Sequence, residues 1–310
     1  MTKSVTAFAP ASVSNVACGF DIMGFALEGI GDRVTVRYSE VPGVRITEVS
    51  GRGEGIALEP ELNTAGPPVM ALAKRCGIKQ GLEVEIQKGI PPGSGIGSSA
   101  ASAAAAAMAC NELLEAGLSK QELVEYAIKG EEVASGATHA DNIAPSLLGG
   151  FTLIRGYDPL DVIRLEPAVE IWYAVVHPGG GIETKSSRKL LPACVPLRDV
   201  VTQTGNAAGL VAGLLTGDLS LVGRSLQDVI AEPARAGTVA GFRETKRAAL
   251  EAGALGCSIS GSGPALFALA VDRVTAERVG AAMGAVQEKL HIPHATFVST
   301  ICRKGAVIIP

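Results

Sequence analysis

The sequence predicts a mixed α and β protein of one or two domains. Segments in which apolar and polar residues alternate predict half-buried strands, and capped segments with helical periodicity predict helices. The chain has 310 residues, which is more than one ordinary domain needs. It is 47% hydrophobic and 19% charged, within the range of globular proteins. Its 38 glycines follow no collagen period, so tight turns and close packing explain them better than disorder.

Composition excludes several classes of protein. The net charge is −4, whereas a general nucleic-acid binder is usually basic. No run of 18 apolar residues is present, and the segment Met1–Thr6 lacks the apolar region of a secretory signal. The six cysteines are dispersed without a C-x-x-C pair, which argues against structural zinc and indicates reduced core thiols. We therefore expect a soluble cytoplasmic protein.

The first half of the chain combines strands with capped helices. Alternation predicts two strands, and helical patterns follow, including a capping box formed by Ser119 and Glu122. The predicted elements are strands at Arg33–Tyr38 and Leu82–Gln87, helices at Thr64–Cys76 and Ser98–Ala116, a helix after Ser119, and a strand at Leu148–Ile154.

In the second half of the chain, the order of predicted helices and strands indicates an α and β layer that resembles half of a split β-α-β unit. We place a domain boundary between residues 155 and 170, and Asp218 is a predicted N-cap. The predicted elements are strands at Ile171–Val176, Gly256–Ser260, Ala265–Val271 and Thr296–Cys302, and helices at Val200–Leu215, Leu219–Ile230, Val239–Ala252 and Thr275–Leu290.

The most informative segment is a glycine-rich loop between a predicted strand and a long helix. It runs from Pro91 to Ala101 with the sequence PPGSGIGSSAA. Glycines let the main chain approach a ligand, and the first-turn N–H groups of the helix make an anion site. The hydroxyls of Ser98 and Ser99 are suited to phosphate or to a phosphate-bound Mg²⁺. The loop fits neither a Walker loop, because no lysine follows Gly97, nor a Rossmann fingerprint. The alternative is a simple connection before an alanine-rich helix.

Two further clusters combine polar residues with apolar surroundings. Asn15 and Asp21 lie six residues apart in an apolar, glycine-containing segment, which is typical of a pocket wall or of a turn that bonds its own backbone. Glu131 ends a predicted helix, and His139, Asp141 and Asn142 follow it closely. Such polar groups are costly to bury without a function, although a lone histidine is more often structural. The other histidines lack the spacing of helical metal ligands.

Two arginines and a second glycine loop complete the candidates. Arg188 and Arg235 each stand in a turn-like context, where an arginine can bind carboxylate or phosphate bidentately or remain on the solvated surface. Ser260–Pro264 lies between two apolar strands. It is either a tight hairpin or a second wall that faces the phosphates.

Together these segments resemble the GHMP kinase superfamily. Pro91 to Ala101 resembles its phosphate loop, P-x-x-x-G-[LI]-G-S-S-A-A, and Gly261–Pro264 resembles its C-terminal glycine motif. The patterns N-x-x-x-G-F-D-x-x-G from Asn15 and H-A-D-N-x-A-P from His139 resemble the homoserine kinases more than other branches. The matches cover essentially the whole chain in the order of the family.

The resemblance implies a two-domain α+β fold with the active site in the cleft between the domains. The N-terminal ATP-binding domain, similar to ribosomal S5 domain 2, would span residues 1–165, and a ferredoxin-like domain would span 166–310. The implied activity is ATP- and Mg²⁺-dependent phosphorylation of L-homoserine to O-phospho-L-homoserine for threonine synthesis, by a cytoplasmic homodimer.

The resemblance also implies residue roles. Ser98 and Glu131 would hold Mg²⁺, and Asp141, Asn142 and Arg235 would serve the transfer. The substrate-binding residues would be Asn15, Asp21, His139, Thr184, Arg188 and Arg235. The ATP-binding residues would be Asn63, Pro91, Pro92, Gly93, Ser94, Gly95, Ile96, Gly97, Ser98, Ser99, Ala100 and Ala101.

Two other functions stay open at this point. One is a catalytically silent binding protein with this fold, which intact Ser98, Glu131 and Asp141 disfavour. The other is a kinase for another small hydroxyl acceptor, such as a shikimate- or mevalonate-type substrate. Asp141 would be either a general base or a substrate-positioning residue.

Overall fold

The computed structural model describes residues 3–136, 138–181 and 184–310 and contains two sheets within them. The first sheet has seven strands in the described residues, and all of its pairings are antiparallel except that of its third strand with its fourth. Its strands are β1 (Ser4–Ser14), β2 (Met23–Ser39), β3 (Val44–Gly51), β4 (Gly81–Lys88), β5 (Phe151–Tyr157), β6 (Leu160–Leu165) and β11 (Val307–Ile309). The path β11-β1-β2-β4-β3 forms the sheet, and the hairpin β5-β6 pairs with the start of β2.

Four helices accompany this sheet. They are α1 (Gly66–Arg75), α2 (Ser98–Leu113), α3 (Lys120–Ser135) and α4 (Ile143–Leu148). Helix α2 packs against β1, β2 and α3, and its alanines from Ala100 to Ala107 are all buried. Small side chains let these elements approach closely, which brings the N-terminus of α2 against the sheet.

The second sheet is smaller and fully antiparallel, with the order β10-β7-β9-β8. Its strands are β7 (Trp172–Pro178), β8 (Gly256–Ile259), β9 (Leu266–Ala270) and β10 (His294–Thr300). The helices of this half are α5 (Thr184–Arg188), α6 (Leu197–Thr216), α7 (Leu219–Ser225), α8 (Ala231–Arg235), α9 (Phe242–Glu251) and α10 (Arg273–Lys289). The two α+β halves confirm the predicted fold class.

Most predicted elements are confirmed at their centres, and several differ in where they begin or end, two of them for a clear local reason. The capping box forms, with Ser119 N–H donating to Glu122 Oε2 at 2.8 Å. The strand predicted from Leu148 begins only at Phe151, because Gly149 and Gly150 adopt positive φ between α4 and β5. The helix predicted to reach Ile230 ends at Ser225.

The early end of that helix has a local cause. The Asp228 carboxylate accepts hydrogen bonds from the backbone N–H groups of Ile230, Ala231 and Glu232 at 2.8–2.9 Å. These bonds start a new short helix, α8, in place of a continuation of α7.

An aromatic cluster joins the two sheets. Phe25 on β2 lies 5.0 Å from Phe151, 6.2 Å from Tyr173 and 5.7 Å from Phe267, measured between ring centroids. All four rings are buried. Buried aromatic pairs dominate packing energetics, so this cluster fixes one half against the other.

The predicted boundary at 165/166 falls between β6 and β7 and stays a prediction. Strand β11 returns from the second half to pair with β1, so the chain crosses between the sheets again after β10. Within the described ranges, no helix combines the length and the apolar character needed to cross a membrane.

Candidate active site

A cavity of about 370 Å³ is lined by residues from both halves of the protein. Most residues predicted from the sequence line it. Those that do not are Pro91, Ile96, Ala100 and Ala101. Ile96 and the two alanines are fully buried in the core, so they support the loop from behind. The predicted Thr184 begins α5, but its side chain lies outside the described part of the structure.

The main chain shapes the phosphate loop, residues 91–97 before α2. Gly93, Gly95 and Gly97 have φ of 68°, 81° and 69°, where side chains are strongly disfavoured. A Cβ on Gly97 would lie 2.2 Å from Ser12 Oγ, and a Cβ on Gly95 would lie 2.7 Å from the Gly263 carbonyl oxygen. The loop therefore presents the first-turn N–H groups of α2 to the cavity, which is the arrangement of an anion site.

The second glycine loop is both a hairpin and a wall. Ser260–Pro264 connects β8 to β9, and Ser260 Oγ donates to the Gly95 carbonyl at 2.6 Å. Gly261 and Ser262 line the cavity. The predicted hairpin is therefore confirmed and the loop also lines the cavity, whereas its position facing the phosphates stays a prediction.

A buried ion pair anchors the phosphate loop from below. Lys88 pairs with Asp32, and its ammonium also donates to the Ser98 carbonyl at 2.7 Å and to Ser102 Oγ at 2.9 Å. Asp32 in turn accepts the N–H of Gly89 at 2.9 Å. Burial lowers the pKa of Lys88, and Asp32 opposes that shift. Because the pair bonds Gly89, just before the loop, and the first turn of α2, just after it, it holds the two ends of the loop together.

A buried carboxyl stands beside the first turn of α2. Glu131 on α3 accepts a hydrogen bond from Ser99 Oγ at 2.8 Å, and burial raises its pKa to about 7. Ser98 Oγ donates to the Ile90 carbonyl at 2.9 Å, which leaves its oxygen lone pairs to accept. Hard oxygen ligands of this kind suit Mg²⁺. In the described chain, no three His, Cys, Asp or Glu side chains come together as a metal cage.

The cavity has an apolar end next to Asn63. Ile56, Leu62 and Ile86 line it, and such surfaces suit a flat base. The amide of Asn63 donates to the Ala57 carbonyl at 2.8 Å and accepts the Ala65 N–H at 3.0 Å. Asn63 thus shapes this end of the cavity, and its predicted adenine contact stays a prediction.

At the opposite end, the acceptor loop (residues 15–22, between β1 and β2) carries Asn15 and Asp21. Asn15 Oδ1 accepts the Asp21 N–H at 3.0 Å, so the turn expected as an alternative does form. This turn uses only the backbone N–H of Asp21, and its carboxylate contacts other residues. It forms a bidentate ion pair with Arg188, with one contact of 3.3 Å, and lies 3.8 Å from His139 Nδ1.

The two arginines share an aromatic platform. The guanidinium carbons of Arg188 and Arg235 lie 5.5 and 5.1 Å from the centre of the Phe20 ring. Arg235 is only 4% exposed and donates to the Gly261 carbonyl at 2.9 Å, whereas Arg188 is half-buried. Cation–π contacts with one ring hold both positive groups at the same end of the cavity.

The segment 139–142 supplies a second carboxyl. Asp141 is 4% exposed, and burial, assisted by the charges of Asp21 and Glu131, raises its pKa to about 7. Burial lowers the pKa of His139, which keeps the imidazole neutral at pH 7. Asn142 accepts from Ser12 Oγ at 2.8 Å and donates to Ser14 Oγ at 3.0 Å, so it fastens this segment to β1.

Several polar atoms in this cavity have no protein partner. Among the described residues, six buried side-chain nitrogen or oxygen atoms lack a hydrogen-bond partner, and three belong to cavity residues. These are Ser94 Oγ, His139 Nε2 and Arg235 Nε. Buried groups of this kind are normally satisfied. Their concentration indicates a place for a polar ligand along the whole cavity.

Known proteins resemble this chain over nearly its whole length. The family model "GHMP kinases N terminal domain" matches residues 64–150, and "GHMP kinases C terminal" matches residues 210–289. A homoserine kinase of Chlorobaculum tepidum is 46% identical, with 99% of this chain and 98% of the relative covered. The chain belongs to the homoserine kinase family of the GHMP kinases.

Solved structures agree with this family assignment. The crystal structure of a homoserine kinase from Cytophaga hutchinsonii matches with a TM-score of 0.96 and 46% identity, covering 100% of this chain and 98% of that one. The L. major mevalonate kinase matches with a TM-score of 0.72 at 16% identity, covering 98% and 97% of the two chains. The second match shows that the GHMP kinase fold extends to more distant relatives.

Sequence reasoning missed the Asp32–Lys88 pair, although a signal for it existed. Leu82, Val84 and Ile86 mark the buried face of β4, and the same alternation places Lys88 on that face. On the neighbouring strand β2, Asp32 lies two residues before buried Val34, so it faces the same side of the sheet. Two opposite charges in inward positions of adjacent strands predict a buried pair.

Proposed function

We propose that this protein is a homoserine kinase, which transfers the γ-phosphoryl group of ATP to the side-chain hydroxyl of L-homoserine. The observation that carries the proposal is one continuous cavity with two chemically different parts. One part, lined by the phosphate loop and Asn63, is called the nucleotide end, and the other, lined by Asp21, Arg188 and Arg235, is called the acceptor end.

The acceptor end suits a zwitterionic amino acid. L-Homoserine carries a carboxylate and an ammonium group, and both need charged partners when water is excluded. We propose that the arginines bind the carboxylate and that Asp21 binds the ammonium, because Arg188 and Arg235 share the Phe20 ring and Arg188 pairs with Asp21. A shikimate- or mevalonate-type acceptor has no ammonium, so Asp21 would be left without this role.

The nucleotide end suits ATP, whose use the family implies. Ser94 Oγ is buried, lacks a protein partner among the described residues, and belongs to a loop whose glycines open the main chain to phosphates. We propose that Ser98 and Glu131 hold Mg²⁺ there. The ion would neutralise phosphate charge during transfer. Ser99 orients Glu131 through its hydroxyl.

The transfer itself depends on position and on one proton. We propose that Asp141 accepts the proton of the acceptor hydroxyl, because a carboxyl with a pKa near 7 exchanges protons at neutral pH. Arg235 stabilises the charge that develops on the transferred group. Asn142 holds Asp141 in place through β1, and its own predicted catalytic role stays a prediction.

Location and assembly are part of the same proposal. All six cysteines are free, which fits a reducing cytoplasm. The homodimer expected from the resemblance stays a prediction.

A coupled ADP-release assay tests the substrate. The purified protein is given ATP and Mg²⁺ with L-homoserine, shikimate or mevalonate, and the product is identified by ³¹P NMR. We expect ADP release only with homoserine, together with one phosphomonoester signal. If shikimate or mevalonate were turned over faster than homoserine, that compound would be the better candidate substrate. If no acceptor were turned over, a catalytically silent binding protein would be favoured.

A further inference from the structure

The acceptor loop has a strained backbone. Asn15, Val16, Ala17 and Asp21 have φ of 69°, 41°, 58° and 60°, a region that residues with a side chain rarely adopt. For Val16, a β-branched residue, the conformation is especially unfavourable. Strain of this kind persists only where the surroundings hold it, and it concentrates at functional sites. The loop therefore needs contacts that fasten it.

Tyr157 fastens one end of the loop from the β5-β6 hairpin. Its hydroxyl donates to the Asp21 carbonyl at 2.7 Å and accepts the Ala140 N–H at 3.3 Å. One oxygen thus joins Asp21 to the segment that carries His139 and Asp141. The ring does not line the cavity, so Tyr157 acts through the main chain of its neighbours.

Gln203 fastens the middle of the loop from helix α6, on the other half of the protein. Its Nε2 donates to the Cys18 carbonyl at 3.0 Å and to Asp228 Oδ1 at 3.1 Å, and its Oε1 accepts the Val229 N–H at 3.0 Å. Asp228 caps α8, the helix that ends in Arg235. Gln203 therefore connects the acceptor loop to the support of Arg235.

We infer that Tyr157 and Gln203 are positioning residues that set the geometry of the amino-acid pocket. Tyr157 joins the strained loop to the segment that carries His139 and Asp141, and Gln203 joins it to the residues that precede α8 and Arg235. The two side chains come from opposite halves of the protein. Neither bonds the phosphate loop in the described structure. Their loss should loosen Asp21 relative to Asp141 and Arg235 and leave nucleotide binding in place. The inference rests on the proposed function for the identity of the acceptor.

The test uses two conservative variants and two matched controls. Tyr157→Phe removes one hydroxyl, and Gln203→Leu removes one amide. Tyr126→Phe removes a hydroxyl that accepts from Arg75, and Gln121→Leu removes an amide that donates to the Val162 carbonyl, both away from the cavity. Thermal unfolding of each variant establishes that it is folded.

Two readouts separate this inference from the proposed function. Hydrogen exchange without substrate should become faster in the peptide covering residues 15–22 in both test variants and in neither control. The KM for homoserine should rise about fivefold in each test variant and about 25-fold in the double variant, with the KM for ATP changed less than twofold.

The outcomes are distinct. Unchanged exchange in the loop, or an equal rise in both KM values, would overturn the inference. Lack of turnover of homoserine by the wild-type protein would overturn the proposed function, and the exchange measurement would still decide whether Tyr157 and Gln203 fasten the loop.

Discussion

The phosphate loop and the acceptor loop use opposite means to reach an unusual backbone. In the phosphate loop, Gly93, Gly95 and Gly97 take positive φ without steric cost, and the binding surface consists largely of main chain. In the acceptor loop, four residues with side chains take positive φ, and one of them, Asp21, carries a charge. Glycine suits a site that recognises phosphate by shape. Under the proposed function, Asp21 supplies a carboxylate that glycine could not supply, and contacts from other elements hold the strained backbone around it.

This comparison predicts that single side-chain replacements are most damaging at the acceptor end. The largest effect is expected for Arg235→Met, because this guanidinium is buried between Phe20 and Gly261. We expect kcat/KM for homoserine to fall by about 100-fold or more, mainly through kcat, with little change in ATP affinity. Steady-state kinetics with each substrate varied in turn measures this. Arg235→Lys should retain part of the activity that Arg235→Met loses. If Arg235→Met weakened ATP binding as much as it lowered kcat/KM for homoserine, the two ends of the cavity would not be functionally distinct.

Arg188→Ala should have a smaller effect on the same end, about 30-fold in kcat/KM, because the side chain is half-buried and more screened by solvent. The loss should fall mainly on KM for homoserine. An amino alcohol without the carboxylate is the matched control substrate. If Arg188→Ala weakens both acceptors equally, Arg188 does not bind the carboxylate.

Glu131 is an exception to this comparison, because it is a side chain with a proposed function at the nucleotide end, where the main chain otherwise forms the surface. Glu131→Gln should raise the Mg²⁺ concentration needed for half-maximal activity by about tenfold, because the amide keeps the shape and loses the charge. Glu132→Gln is the matched control, since Glu132 is exposed and accepts a bond from Thr138 Oγ1 at 3.2 Å. Titration with Mg²⁺ at fixed ATP should leave the control within about twofold of wild type. Equal behaviour of the two variants would refute the assignment of Glu131.

Asp141 should make the acceptor end sensitive to pH even without substrate. The pKa of Asp141 is raised from 3.8 to about 7, so the folded protein holds a proton that the unfolded chain releases. Wild-type stability relative to Asp141→Asn should therefore be greatest below pH 4, decline as the pH rises towards 7, and level off above it. The slope is at most about 1.4 kcal/mol per pH unit. Urea unfolding of both proteins at several pH values measures it, and parallel curves would show that burial does not raise this pKa.

Local features were predictable from the sequence, and long-range contacts were not. The strands at Arg33–Tyr38 and Leu82–Gln87, the cap at Ser119 and the phosphate loop each depend on neighbouring residues, and each was found. The Asp21–Arg188 pair joins residues 167 positions apart, and the Gln203–Cys18 bond spans 185 positions. Periodicity reports only whether a side chain faces inward. It suggests a partner only where two opposite inward charges lie on adjacent strands, as for Asp32 and Lys88, and not where the contact depends on how the two sheets pack.

Because β11 belongs to the first sheet but lies late in the sequence, the first sheet cannot form completely until late in synthesis. β1 pairs with β11 through Thr6, Ala7 and Phe8, and the same strand holds the phosphate loop through the Ser12 N–H and the Ile96 carbonyl. A ribosome makes β11 only after every strand of the second sheet. Until then, the outer edge of β1 in the nascent chain lacks this partner and is open to other extended chains. The first sheet, most of which is encoded before the second, is therefore completed only after the strands of the second sheet have been made.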